Sequence, residues 1–282
     1  MTNKIKKTLE KTLIEAGRIL KCGIDRPKNI QYKSPVSLVT ETDKKAEQTI
    51  IEIIKHQFPD HSILSEESPP YFPRSATPPH YAADAPSSLA QKRGGSASGG
   101  KWIIDPLDGT ANFAHSFHAA CVSIAYEDAG ILKLGGVWNP FINEWFWAER
   151  GKGASLNGKK IHVSKMKSLR ESLLVTGFPY DRVQYADYYL KFMKAFMMTT
   201  HGIRRLGSAA LDLCYVACGR FDGYWEFKLN SWDQAAGALI VEEAGGKLSD
   251  FRGKPMNIYG QQTLATNGKI HGEMLKILKK HL

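Results

Sequence analysis

No run of apolar residues in these 282 positions approaches the roughly 20 that a bilayer-crossing helix needs. The lysine-punctuated N-terminus has no uncharged hydrophobic segment of the secretory kind. The expectation is a soluble, cytoplasmic protein with no membrane partner. Cysteine is scarce. Cys22, Cys121, Cys214 and Cys218 form no disulfide framework, and no histidine or cysteine partners stand at zinc spacing around the last two. Those two lie four apart in an apparently helical run, so they share a face and read as small core residues. No internal repeat is found.

The composition that remains is that of a globular protein. Hydrophobic residues make up 43% and charged residues 23%, enough for a substantial core at this length. The formal net charge is +10. Its lysines are spread along the chain, with small clusters at 4–7 and 276–280, so a solvated basic surface is the simpler reading and an anionic partner the alternative.

Ile5, Leu9, Leu13, Ala16 and Leu20 recur at helical spacing and predict an amphipathic helix over 3–22. Residues 34–40 read as extended. A second helix begins at Asp43, ahead of Ala46, Ile50, Ile53, Ile54 and Phe58, and a helix N-cap by itself accounts for Asp43. A short strand at 61–64 runs into Ser65, Glu66, Glu67 and Ser68. Residues 69–100 are rich in Pro, Ser, Ala and Gly and read as a mobile loop, either a lid or a decoration. Apolar segments at 122–126, 132–138 and 145–148, separated by turn residues, predict an antiparallel meander. Beyond it, strands at 173–176, 203–206, 222–226 and 263–266 alternate with helices at 188–197, from Ser208, and at 232–244. A hairpin over 249–255 and a basic terminal helix complete the chain.

The informative stretch is 102–113, WIIDPLDGTANF. An apolar, β-forming run ends in an acid, a proline, a second acid and Gly-Thr. Proline has no N–H to give a ladder, so Pro106 is expected to end the strand and leave Asp105 and Asp108 on a turn at its mouth. Two carboxylates so close repel each other, which a divalent cation between them relieves. Gly109 and Thr110 offer backbone N–H groups for an anion. Asp-Pro and Asp-Gly are also common turn dipeptides, and on those alone a plain turn is the simpler reading.

Together with residues 230–237, NSWDQAAG, this string resembles the two signatures of the inositol monophosphatase family of metal-dependent phosphatases. The resemblance covers nearly the whole chain. It is interrupted at 69–100, where the family usually has a shorter connection, and no ligand position is substituted. It implies an α/β (α+β) fold, a layered αβαβα sandwich. A mostly antiparallel sheet is expected in residues 1–165 and a mixed sheet in 166–282, with the site between the halves.

The resemblance also distributes roles. Glu66, Asp105, the carbonyl of Leu107, Asp108 and Asp233 are the implied metal ligands, with Glu66 also holding a weaker third ion through water. Thr110, supported by Asp43, orients the attacking water, so that Asp43, Glu66 and Thr110 are the implied catalytic residues. Gly109 and Thr110 N–H groups hold the phosphate. Asp108, Gly207, Ser208, Ala209, Glu226 and Asp233 meet the substrate. Taken alone, Asp233 is a first-turn acid favoured by the helix dipole, and Glu226 a surface strand residue.

The chemistry suits the donors. Phosphate monoester hydrolysis is among the slowest uncatalysed reactions, with accelerations up to ~10²¹ known. General acid–base catalysis contributes roughly 10²–10⁴, so metal ions are the plausible supplement. Carboxylate-rich motifs suit Mg²⁺ rather than Zn²⁺, and the resemblance implies two to three such ions, lithium sensitivity and a homodimer. Relatives act on inositol monophosphate, fructose 1,6-bisphosphate, 3′-phosphoadenosine 5′-phosphate and histidinol phosphate. Glu226, expected at the open mouth of the site beyond the phosphate, favours a polyol such as myo-inositol, whereas Arg204 and Arg205 favour a second phosphate. An expectation of another class is an RNA-binding protein, or a partner of the transcription or translation machinery, using the basic surface.

Overall fold

The computed structural model describes residues 3–26, 30–34, 37–73 and 99–282. Most of the loop expected at 69–100 therefore lies outside the described residues.

The chain opens with α1 (Asn3–Gly23), a hairpin of β1 (Ile30–Ser34) and β2 (Ser37–Thr40), and α2 (Glu41–Gln57). A seven-stranded sheet follows: β3 (Ser62–Ser65), β4 (Lys101–Asp108), β5 (Cys121–Asp128), β6 (Ile131–Asn139), β7 (Glu144–Glu149), β8 (Gly153–Leu156) and β9 (Lys159–Lys160), in that spatial order. The β3–β4 pair is parallel and the rest is the expected antiparallel meander. One turn of helix, α3 (Thr110–Ala114), sits between β4 and β5.

The second sheet has five strands in the order β11-β10-β12-β14-β13. They are β10 (Leu173–Thr176), β11 (Gly202–Arg204), β12 (Gly223–Phe227), β13 (Lys247–Ser249) and β14 (Gln262–Thr266). It is mixed, with β10 parallel to both neighbours and β14 antiparallel to both of its own. Its helices are α4 (Arg182–Met197), α5 (Ala209–Ala217), α6 (Ser231–Glu243) and α7 (His271–His281).

The period of two along the strands sorts these elements into layers. In β4 and β5, Trp102, Ile104, Val122 and Ile124 face α1 and α2, while Ile103, Cys121 and Ala125 face α5 and α6. In the second sheet, Val175, Tyr224 and Ala265 face the same helix pair, while Leu174, Trp225 and Leu264 face α4 and α7. The order is helices, sheet, helices, sheet, helices, which is the αβαβα sandwich. The middle pair belongs by sequence to the second sheet yet α6 packs against β4, β5, β6 and β7 of the first.

Three local expectations are corrected. Strand β4 does not stop at Pro106 but runs through it to Asp108. Helix α4 begins at Arg182 rather than Tyr188; Val183 and Tyr185 in its first turns are exposed, so no apolar stripe announces them. Asp43 is not the N-cap of α2. Thr40 is, accepting from the N–H groups of Thr42 and Asp43, and Asp43 returns the bond by accepting from the Thr40 N–H at 2.9 Å.

Candidate active site

An ordinary strand would send Asp105 and Asp108, three apart, to opposite faces. Here Asp105 pairs with Ser123 and Asp108 with Cys121, so two residues of β4, Pro106 and Leu107, stand against one of β5, Val122. The extra residue is a β-bulge, and it turns both carboxylates to one face. Pro106 sits in the bulge, where the ladder is already interrupted and its missing N–H costs nothing. Gly109 follows at φ 95, and a Cβ there would come within 2.8 Å of the Ala119 carbonyl, so the turn into α3 requires glycine.

Each acid is fixed by a different device. Asp105 accepts from the Leu107 N–H at 3.0 Å. Asp108 reaches across to the second sheet's helices and accepts from the Ser208 hydroxyl and the Ala210 N–H, both at 2.7 Å, which places a carboxylate at the start of α5 where the helix dipole favours it. Asp233 is the third residue of α6 and accepts from the Asn230 N–H at 2.6 Å. Glu66 follows β3 in the loop that Glu47 holds. The buried Glu47 carboxylate of α2 accepts from the Ser65 and Ser68 hydroxyls and from the Glu67 N–H. Nothing singled out Glu47 in the sequence, although a glutamate beside Ala46 and Ile50 on the apolar face of a helix was the available signal.

Glu66, Asp105, Leu107, Asp108, Gly109, Thr110, Gly207, Ser208, Ala209, Glu226 and Asp233 all line one cleft. Asp43 does not; it stands behind Thr110, whose hydroxyl lies 3.0 Å from its Oδ1 and 3.1 Å from the Leu107 carbonyl. Glu226 is no surface residue and no open-mouth residue either. It is buried on β12, two residues from Tyr224, whose hydroxyl donates to it at 2.6 Å. A Cβ on Gly177 would fall 2.2 Å from that carboxylate, so the glycine leaves Glu226 its space.

Burial is the first cause of every shift in proton affinity here. It lifts Asp105 and Asp233 well above the ordinary carboxylate range, with the charges of Glu66 and Asp108 adding to both. Asp108 is pushed up to about 6 by burial despite the Ser208 and Ala210 donors. Asp43 goes to about 6, and Glu226 to about 7 despite Tyr224. Asp105, Asp108 and Asp233 make no ion pair among the described residues. Several buried acids raising one another's proton affinity is an arrangement that bound cations would relieve.

Among the described residues no three acidic, His or Cys side chains form a closed cage for one ion. Carboxylate and carbonyl oxygens suit a hard divalent cation that fills its remaining positions with water and substrate phosphate. The donor set, hard oxygen throughout, fits it.

The profile of the inositol monophosphatase family matches residues 1–282. The chain belongs to this family. It is 47% identical over 241 residues to a Synechocystis sp. protein named inositol-1-monophosphatase, covering 86% of this chain and 76% of that one. It is 39% identical over 271 residues to the Nus factor SuhB of Pseudomonas aeruginosa, covering 95% and 93%. The crystal structure of the extragenic suppressor protein suhB from Bartonella henselae superposes with a TM-score of 0.86 at 34% identity, over 99% of each chain. Inositol monophosphatases are phosphatases, generally metal-dependent, and this chain is a phosphatase of that type.

Proposed function

We propose that this phosphatase hydrolyses myo-inositol monophosphate to inositol and phosphate, with two to three Mg²⁺ ions held by Glu66, Asp105, the Leu107 carbonyl, Asp108 and Asp233. The observation that carries the metal assignment is the group of buried acids around one cleft, three of them without an ion-pair partner among the described residues. The metal, when bound, neutralises phosphoryl charge and makes water a stronger nucleophile at neutral pH. Thr110 has a single hydroxyl proton, and both acceptors in reach of it, Asp43 Oδ1 and the Leu107 carbonyl, are protein groups. Its lone pairs are thus left to accept from the attacking water and aim its oxygen at phosphorus. The N–H groups of Gly109, just before α3, and of Thr110, its first residue, have no acceptor within that helix, which supports their role in holding phosphate oxygens.

Glu226, buried and oriented by Tyr224, supports a polyol over a second phosphate, which its charge repels. The test is kcat/KM with Mg²⁺ for inositol monophosphate, fructose 1,6-bisphosphate, 3′-phosphoadenosine 5′-phosphate and histidinol phosphate. Inositol monophosphate is expected to lead; a clear preference for any of the others overturns the substrate assignment. Lithium is expected to inhibit by taking a weakly held Mg²⁺ position, and unchanged turnover at millimolar lithium contradicts that. The homodimer and the cytoplasmic location belong to the same proposal, the first read by light scattering on the purified protein.

A second reading is binding to RNA or to the transcription machinery. The net charge of +10 and the relative named as a Nus factor favour it. It calls for salt-dependent retention on immobilised RNA, and an intact phosphatase site does not exclude it.

A further inference from the structure

Helix α5 reads AALDLCYVA, buried along its whole length, and Asp212 is its one charged residue. Asp212 is 1% exposed and its Oδ1 has no hydrogen-bond partner among the described residues. The other buried side-chain atoms in that condition are the hydroxyls of Ser123 and Ser231, neutral groups for which the cost is smaller. A buried carboxylate oxygen left unpaired is expensive, and hydrophobic packing gives this helix no use for one. The same carboxylate lines the cleft, as Glu226 does; burial raises the proton affinity of both, the charges of Glu226 and Asp108 add to that of Asp212, and Arg205 on that wall works against the rise. Asp108 and Glu226 have protein donors; the Asp212 carboxylate accepts from none among the described residues, and the cleft is the open space it borders.

We propose that Asp212 is a specificity-determining residue whose carboxylate accepts a hydrogen bond from a ring hydroxyl of the substrate, a different hydroxyl from the one Glu226 holds. Two acceptors side by side make the alcohol end of the cleft a reader of polyhydroxylated leaving groups. This rests on the polyol-phosphate reading given above. The arrangement admits phosphates of polyols and simple sugars, and it discriminates against leaving groups that are apolar or carry a second anion.

The experiment compares wild type and Asp212→Asn on inositol 1-phosphate, on analogues each lacking one ring hydroxyl, and on para-nitrophenyl phosphate, with thermal melts alongside. A hydrogen bond to a charged acceptor sets the expected loss in kcat/KM on inositol 1-phosphate at about ten- to a hundredfold, carried mainly by KM. Turnover of para-nitrophenyl phosphate is expected to stay within about twofold. One deoxy analogue should show the same loss with wild type and no further loss with the variant. Equal losses on both full substrates, or a lowered Tm with the substrate ratio unchanged, assign Asp212 a structural role and overturn the proposal. Should the variant not fold, the wild-type series decides: two hydroxyls that matter support two acceptors, and one alone overturns the second. A wild type indifferent between inositol 1-phosphate and para-nitrophenyl phosphate instead removes the polyol reading itself.

Discussion

The two ends of the cleft hold their carboxylates in opposite ways. At one end Asp105, Asp108 and Asp233 come from β4 and α6, and the charges of their neighbours, Glu66 among them, raise their proton affinities. At the other end burial again raises Glu226 and Asp212, and Asp212 is also repelled by Glu226 and Asp108, but here Arg205 works against the rise at both and Tyr224 orients Glu226. Mutual repulsion suits bound cations, since backbone and hydroxyl donors offset it only in part and no cationic side chain among the described residues does. Charge partly offset by an arginine suits the proposed reading of neutral hydroxyls, since a cation there would compete with the arginine. The same side-chain chemistry thus serves two purposes, separated by what the fold places beside it.

The sharpest way to break this contrast is to remove the cations. Chelation is expected to abolish turnover, and Asp105→Asn at saturating Mg²⁺ to cost about three decades or more in kcat, since metal stabilisation of transition-state charge amounts to several kcal/mol. Asp43→Asn should cost less, because Asp43 touches Thr110 and lines no part of the cleft. Full activity in excess EDTA, or equal losses for the two variants, defeats the assignment of the repelling end to metal.

At the compensated end the effect is smaller and selective. Glu226→Gln is expected to lower kcat/KM on inositol monophosphate by about one to two decades, the worth of a hydrogen bond to a charged acceptor. It should leave para-nitrophenyl phosphate nearly unchanged and help a bisphosphate. A uniform loss across the three places Glu226 with the metal ligands or the fold, and the two ends cease to differ.

How much of this contrast was legible in the sequence depended on the reach of each contact. Asp105, Asp108 and Asp233 sit in short, recognisable strings, and the meander announces itself by alternation. The bulge at Pro106 did not, because proline ends a regular ladder and only the pairing with Ser123 and Cys121 reveals an irregular one. Glu47 was missed because its donors lie 18 to 21 residues away on another element. Glu226 was judged exposed or open because local pattern cannot foresee a strand covered on both faces. Asp212 stood in plain view as the one acid in an apolar helix, but the implied contacts in that segment stopped at Ala209 and no spacing rule told its carboxylate from an ordinary helix acid.

The contrast also predicts a pH dependence of stability. In chelator, Asp105 and Asp233 have proton affinities above the ordinary range, Asp108 and Asp43 titrate at about 6 and Glu226 at about 7, against 3.8 and 4.5 ordinarily. Between those limits the folded chain holds protons that the unfolded chain has released, so this contribution to stability is full at the acid side and is lost as pH rises through 6 and 7. The metal-free protein should therefore melt higher at pH 6 than at pH 7.5. Saturating Mg²⁺ should flatten or reverse that slope, because it binds the deprotonated acids. A metal-free Tm that climbs with pH over this window counts against repulsion as the organising feature of the metal end.

The smallest expected effect concerns Glu47, which acts on the metal end only through the loop that carries Glu66. Its Oε1 accepts from the Ser65 hydroxyl and, at 3.0 Å, from the Glu67 N–H, while Oε2 accepts from the Ser68 hydroxyl. Glu47→Gln keeps one oxygen, which can take the place of Oε1 and hold both its donors. The new amide would face Ser68, whose hydroxyl can turn to accept rather than donate. Net hydrogen-bond changes of this kind are worth about 0.5–1.5 kcal/mol, so the loop should loosen without coming apart. The expected result is a rise of about two- to fivefold in the Mg²⁺ concentration for half-maximal activity, with kcat at saturating Mg²⁺ near wild type. Calorimetric titration with Mn²⁺ should show weakened binding of the same size without substrate. Glu47→Ala, which leaves three donors facing a void, should lose much more and lower the Tm as well. If Glu47→Gln instead lowers kcat at saturating Mg²⁺ while Mn²⁺ binding is unchanged, the loop serves the attacking water rather than cation affinity, and Glu66 belongs beside Thr110 and Asp43 instead of with the metal ligands.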